Sequence, residues 1–150
     1  MRTSESVVVP AAPAVVFPLV SDLSAYPAWL RLVHAAAALD VAAGTAPAWS
    51  VELRARVGPF ARSKQLRMQR SVVDLDRLVV FERAEVDGRQ HASWMLRAEL
   101  ESCAEGTLLT MHLAYDGALW TGGLLQRVLD DEIRRGRTGL VQLVSGGPMR

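Results

Sequence analysis

The chain has 150 residues, 50% of them hydrophobic, with 17 Lys and Arg against 16 Asp and Glu. A chain of this length can bury roughly 70% of its unfolded surface in one core, so we expect a single domain over residues 1–150. The net charge of +1 lacks the concentrated positive charge that nucleic-acid binding requires, which argues against that class of partner.

The sequence also lacks signals for secretion or membrane insertion. Its start, MRTSESVVVP, has no basic segment followed by an apolar core and a cleavage site. No run reaches the ~18–20 uncharged apolar residues that a membrane span needs. The single Cys103 cannot form an intramolecular disulfide. We therefore expect a cytoplasmic protein without stable membrane insertion.

The N-terminal fifth predicts one strand and two short helices. Residues 4–9 have the apolar and β-branched composition of a strand. Pro10 and Pro13 then mark the start of an apolar helix from Ala14 to Val20. A second short helix is expected at about residues 25–32.

From His34 to Asp116 the hydrophobic pattern alternates with a period of two, which predicts a long antiparallel meander. After Gly117 the period becomes helical and predicts an amphipathic helix over about residues 118–144. Five turn signals divide the meander into six strands: Ala43–Pro47, Gly58–Pro59, Asp74–Arg77, Asp87–Gly88 and Glu105–Gly106.

The turns also predict which side chains share a face, because a slip of one residue would turn a strand over. The predicted cross-strand pairs are Trp49 with Met68, Val72 with Val79, Phe81 with Trp94, and Leu96 with Tyr115. All four place apolar residues on one face, which must be covered, and the last helix has an apolar stripe long enough to cover it.

Three charged residues, Arg70, Arg83 and Glu85, fall on this apolar face. A buried charge persists only if it is paired or hydrogen-bonded. These residues therefore lie at an open end of the sheet, form salt bridges with one another, or contact a polar group of a ligand. We expect Arg83 and Glu85 to form the polar anchor of a cavity.

Other residue types give little support for chemistry. The three histidines are too far apart for a local metal motif, Cys103 has no basic neighbour, and no nucleophile elbow or phosphate loop is present. We expect neither a metal nor a cofactor. In the last helix, Gly136 and Gly139 each cost roughly 0.8–1 kcal/mol relative to Ala, which predicts close packing or space for a ligand.

The order of the elements, together with the run VVVPAAPAVVFPLVSDLSAYPAWL, resembles the START-like, SRPBCC or helix-grip superfamily over nearly the whole chain. The stretches RAEVDGRQHASWMLRAEL and YDGALWTGGLLQRVLDDEIRRG resemble its polyketide cyclase/dehydrase and lipid-transport members. The residues that match the superfamily's N-terminal pattern are Ala12, Pro13, Val16, Phe17, Val20, Asp22, Tyr26, Pro27 and Trp29.

The resemblance implies an α+β helix-grip fold, in which a curved antiparallel sheet of about seven strands wraps around the C-terminal helix. It implies an internal cavity for an apolar or amphipathic small molecule, such as a lipid, isoprenoid or polyketide. It gives no fixed catalytic residues and no oligomeric state. The residues expected to contact the ligand are Trp49, Met68, Arg70, Phe81, Arg83, Glu85, Trp94, Leu96, Met111, Tyr115 and Leu125.

Two other functions stay open. The first is an aromatase/cyclase-like enzyme, in which Arg70, Arg83, Glu85 or Tyr115 transfers a proton or stabilises an enolate. The second is a regulatory module that binds a partner protein. An enzyme would convert a candidate poly-β-ketone, whereas a carrier would retain its ligand unchanged.

Overall fold

The computed structural model describes residues 2–57, 59–116 and 123–145, which contain seven strands and three helices. The strands are β1 (Arg2–Val9), β2 (Val33–Ala38), β3 (Ala48–Val57), β4 (Phe60–Asp74), β5 (Leu78–Arg83), β6 (Ser93–Cys103) and β7 (Gly106–Asp116). The helices are α1 (Pro13–Val20), a 3₁₀ helix (Leu23–Ala28) and α2 (Gly123–Ser145).

All seven strands form one antiparallel sheet in the order β1-β7-β6-β5-β4-β3-β2. Strands β2 to β7 each lie beside their neighbour in sequence, and β1 closes the other end of the sheet beside β7. The buried face of the sheet shares one core with Leu129, Ile133 and Leu140 of α2. This confirms the α+β helix-grip prediction, with six strands in the meander and a long helix at the C-terminal end. The predicted beginning of that helix, before residue 123, lies outside the described residues.

Two of the predicted hairpins have a different register. In the β5–β6 pair, Phe81 lies opposite Leu96 rather than Trp94, because residues 84–92 form a long loop in place of a two-residue turn. In the β6–β7 pair, Leu96 lies opposite Leu113 rather than Tyr115. Both differences equal two residues, so every side chain keeps its face. The prediction for β3–β4, with Trp49 opposite Met68, is confirmed.

The β4–β5 hairpin contains a bulge that sequence analysis did not predict. Arg70 pairs with Phe81, but Val72 pairs with Val80, so Ser71 is an extra residue in β4. The prediction that Val72 faces inward opposite Val79 is therefore wrong, and Val72 is 43% exposed. On the other side of the bulge, Arg70 and the residues of β4 before it keep their predicted face.

The 3₁₀ helix begins earlier than the expected residue 25. The carboxylate of Asp22 accepts a hydrogen bond from the backbone N–H of Ser24 at 2.9 Å, which caps the first turn. Tyr26 is fully buried, and its hydroxyl donates to the carbonyl of Val20 at 2.8 Å. Burial raises the pKa of this phenol far above its ordinary value, so Tyr26 acts as a neutral donor.

Trp29 connects the three helices. Its indole N–H donates to the carbonyl of Leu19 at the end of α1, at a distance of 2.9 Å. On its other side it lies against α2, where a Cβ added at Gly139 would be 2.8 Å from the Cα of Trp29 and 2.9 Å from its carbonyl oxygen. At Gly136 an added Cβ would meet the indole ring at 3.1 Å. The two helix glycines thus permit close packing.

We expect Gly139→Ala to lower the free energy of unfolding by roughly 1–3 kcal/mol, because the new methyl group meets backbone atoms that cannot move independently. The gain in helix propensity of about 1 kcal/mol offsets only part of this cost. Urea denaturation measures the change. Thr138→Ala, at an exposed neighbouring position of α2, is the control. Equal stability of Gly139→Ala and Thr138→Ala would contradict the close approach.

Candidate functional site

A small apolar void lies between the buried face of the sheet and α2. It encloses about 30 Å³, which is close to the space that one water molecule occupies in the liquid. Its wall is entirely hydrophobic and consists of Leu23, Leu30, Leu32, Val33, Val51, Leu53, Leu66, Met68, Trp94, Leu96, Leu113 and Ile133.

Trp94 is the one member of this wall with a polar side-chain atom. Its side chain lies on β6, and the residue is only 6% exposed. The ring packs at a tilt against Tyr115, with centroids 4.6 Å apart. The indole N–H is buried and has no hydrogen-bond partner among the described residues. Since nearly all buried donors in proteins are paired, this N–H is an exception, and it belongs to a residue whose apolar atoms line the void.

The predicted ligand-contact residues divide into two groups. Met68, Trp94 and Leu96 line the void. Trp49, Phe81, Met111 and Tyr115 are buried in the surrounding core. The ring of Phe81 meets the edge of Trp49 at 5.5 Å, and the Trp49 indole N–H donates to the hydroxyl of Ser24 at 3.1 Å. Leu125 belongs to α2, but its side chain lies outside the described part of the chain.

Arg70 points inward from β4, as its pairing with Phe81 requires. Its guanidinium donates to the carbonyl of Ser21, in the turn between α1 and the 3₁₀ helix, at 2.9 Å. This hydrogen bond joins the sheet to the helical segment, so Arg70 has a partner within the protein.

Arg83 and Glu85 form a salt bridge of 2.7 Å between Nε and Oε2, and the side chain of Arg83 is only 7% exposed. Arg83 also donates to the carbonyl of Ala92 at 3.1 Å. The third guanidinium nitrogen, Nη2, lies 3.3 Å from the Nδ1 atom of His91, whose other ring nitrogen binds Asp87 at 2.8 Å. Both ends of the 84–92 loop are therefore held by one buried guanidinium. This geometry matches the expected alternative of a salt bridge between the inward charges.

The environment of Glu85 favours its charged form. Burial by itself would raise its pKa, but the hydrogen bonds from Arg83 and from the backbone N–H of Arg67, with the charge of Arg83, lower the pKa below its ordinary value. Glu85 therefore stays ionised and paired at neutral pH.

Sequence analysis missed a second charged pair. Glu132 on α2 is 6% exposed, and its two carboxylate oxygens accept hydrogen bonds from Nε of Arg31 at 2.5 and 2.7 Å. The helical spacing could have indicated it, because Glu132 lies three residues after the buried Leu129 and next to Ile133. Beside this pair is an open groove of about 550 Å³ that also includes Arg54.

The histidines do not come together. His112 lies on the outer face, where its Nδ1 is 2.7 Å from the hydroxyl of Ser4 and its Nε2 is 3.1 Å from Glu99. A two-residue turn at Asp87–Gly88 would have placed His91 on the outer face of a strand, but His91 belongs to the 84–92 loop. Among the described residues, no group of His, Cys, Asp or Glu could hold a metal ion. No helix in this part of the chain is long and apolar enough to cross a membrane.

The lowered pKa of Glu85 predicts a pH effect on stability. A carboxyl with a depressed folded-state pKa stabilises the fold fully above its unfolded pKa of about 4.5, and loses this contribution as the pH falls through the folded value. We expect Glu85→Gln to reduce the acid sensitivity of the folded protein below that pH. Thermal unfolding of wild type and variant between neutral and acidic pH measures it. Parallel pH curves for the two proteins would contradict the assignment.

Comparison with known proteins agrees with this fold. Residues 1–145 match the family model described as polyketide cyclase / dehydrase and lipid transport. A START superfamily protein from Mycobacterium smegmatis is 17% identical, with 97% of both chains covered and a TM-score of 0.72. A protein from Thermus thermophilus is also 17% identical, covering 99% of this chain and 98% of its own, with a TM-score of 0.68.

The di-domain ARO/CYC protein BexL, from the BE-7585A biosynthetic pathway, has a TM-score of 0.68 and 12% identity. It covers 95% of this chain with 49% of its own length. No curated protein matches the sequence significantly. At these identities the solved structures show a shared fold only, whereas the family model spans almost the whole sequence. The chain therefore belongs to the polyketide cyclase/dehydrase and lipid transport family and has its START-like, helix-grip fold.

Proposed function

We propose that the protein binds an apolar or amphipathic small molecule, such as a lipid, isoprenoid or polyketide, between the sheet and α2. The observation that carries this proposal is the buried indole N–H of Trp94, which has no acceptor among the described residues, together with the hydrophobic void that the apolar atoms of Trp94 help to line. An unpaired buried donor costs roughly 1–3 kcal/mol. A ligand oxygen in the void would supply the missing acceptor, and the apolar wall would hold the rest of the molecule.

Binding must widen the void, because 30 Å³ cannot hold a molecule of lipid or polyketide size. The wall contains side chains that can make this space. Met68 is unbranched and has three rotatable bonds, so it can change rotamer at low cost. Ile133 belongs to α2, so a small displacement of the helix enlarges the void from the other side. The ligand-bound state is thus a repacked form of the same wall.

The hydrogen bonds of the inward charges favour binding over conversion of the ligand. Arg70 is held by the carbonyl of Ser21, and Arg83 by Glu85 and the carbonyl of Ala92. A group that transfers protons to a substrate must reach it, and these partners direct the charges towards the protein. Tyr115, also considered for proton transfer, packs on Trp94, which lines the void. A cyclase-like reaction and a ligand-anchoring role for Arg83 and Glu85 stay predictions.

We expect Trp94→Phe to weaken the binding of 2-undecanone roughly twofold to twelvefold, because the ketone oxygen loses a hydrogen bond worth about 0.5–1.5 kcal/mol. Binding of undecane, which has no acceptor, should change little. Displacement of the neutral dye Nile red measures both affinities.

Trp49→Phe is the matched control, since the indole N–H of Trp49 already donates to Ser24. That variant should lower stability while leaving the ratio of the two affinities unchanged. An unchanged ratio in Trp94→Phe would refute the hydrogen bond from Trp94. If wild type binds neither molecule, the proposed function itself is wrong. Incubation with a poly-β-ketone and analysis of the products separates carriage from cyclisation.

A further inference from the structure

An open groove of about 550 Å³ lies between α2, the start of β2 and the last part of β3. It is positioned where β3 continues beyond its neighbour, because β2 pairs with β3 only as far as Leu53. The groove is therefore a gap between the free edge of the sheet and the helix that covers it. Its lining consists of Arg31, His34, Arg54, Ala55, Arg56, Ala61, Val128, Asp131, Glu132 and Arg135.

Positive charge is concentrated in this groove. Four arginines line it against two carboxylates, although the whole chain has a net charge of only +1. Arg31 pairs with Glu132, and Arg135 pairs with Asp131 at 3.1 Å. Arg54 pairs with Glu52, outside the groove, at 3.1 Å. The side chain of Arg56 is exposed and has no hydrogen bond or ion pair with any other described residue. Among the described lining residues, Arg56 is therefore the arginine without a partner.

The groove and the apolar void share the same short segments of chain. Leu30 and Leu32 belong to the wall of the void, and Arg31 between them lines the groove. On α2, Ile133 belongs to the void and Glu132 to the groove. On β3, Leu53 lines the void and Arg54 lines the groove. The groove and the void thus have lining residues that are consecutive in sequence on three segments of the chain.

We infer that the ligand is an anionic amphipath, whose carboxylate lies in the groove beside Arg54 and Arg56 while its apolar part enters the void. This inference rests on the proposed function and specifies its ligand. Guanidinium groups suit this role because they remain charged and bind the two oxygens of a carboxylate in parallel. Arg54 and Arg56 flank Ala55 on β3, and all three residues line the groove.

The test compares dodecanoate with 1-dodecanol, which have the same chain length and differ in charge. Isothermal titration calorimetry at low ionic strength gives the affinity of both for wild type. Three variants are measured beside it: Arg56→Gln, Arg56→Lys and Arg62→Gln. Arg62 is an exposed arginine on β4 outside the groove and serves as the matched control.

We expect wild type to prefer dodecanoate, and Arg56→Gln to weaken the binding of dodecanoate by about twofold to fivefold, which lies within the range for an exposed charge pair. Arg56→Lys should retain most of the affinity, Arg62→Gln should match wild type, and 1-dodecanol should not respond to any variant. Added salt should reduce the difference between wild type and Arg56→Gln, because it screens exposed charges.

The outcomes distinguish the inference from the proposed function. If both compounds bind equally well and Arg56→Gln changes neither, the protein is a carrier but the groove does not hold the carboxylate. Equal losses for both compounds would mean that Arg56 supports the shape of the site, which also overturns the inference. If acetate binds as tightly as dodecanoate, the groove is an anion site unconnected to the void. If neither long-chain compound binds wild type, the proposed function fails together with the inference.

Discussion

The contact between Trp29 and the two glycines of α2 determines where the covering helix lies. The backbone of Trp29 comes so close to Gly139 that no side chain fits between them, and its indole N–H is bound to the carbonyl of Leu19. The second half of α2 is therefore fixed against the 3₁₀ helix, which in turn is fixed to the sheet by Arg70. Ile133, in the middle of α2, lines the void.

Most of the described polar groups in the interior that join one element to another have a hydrogen-bond partner within the protein. Tyr26 donates to Val20, Trp49 donates to Ser24, and Arg83 is bound on several sides. These bonds hold elements together, so their loss would loosen the fold. Of the three tryptophans that the structure describes, Trp94 is the one whose indole N–H has no hydrogen-bond partner. An unpaired buried donor lowers the stability of the fold. A ligand that accepts its hydrogen bond would remove this cost, so the donor favours a ligand-binding role.

The side-chain faces could be predicted from the sequence because they depend only on whether a residue has an odd or an even position in its strand. Two hairpins differ from the predicted register by two residues, and Trp94 and Leu96 still face the core. The position of Val72 could not be predicted in this way, because one extra residue at Ser71 reverses the alternation. Bulges depend on how the neighbouring strand and its turn fit, and the sequence of β4 alone has no Gly or Pro that would mark one.

The site was harder to predict than the fold, for a physical reason. Parity placed Arg83 and Glu85 inward, but whether two inward charges meet each other or a ligand depends on distances between loops. The groove joins residues from the start of β2, the edge of β3 and the middle of α2, whose proximity only the packed structure reveals. The indole N–H of Trp94, beside the void, and the guanidinium of Arg56, in the groove, have no partner among the described residues. A ligand that complements both needs an acidic end for Arg56 and a further oxygen within reach of Trp94.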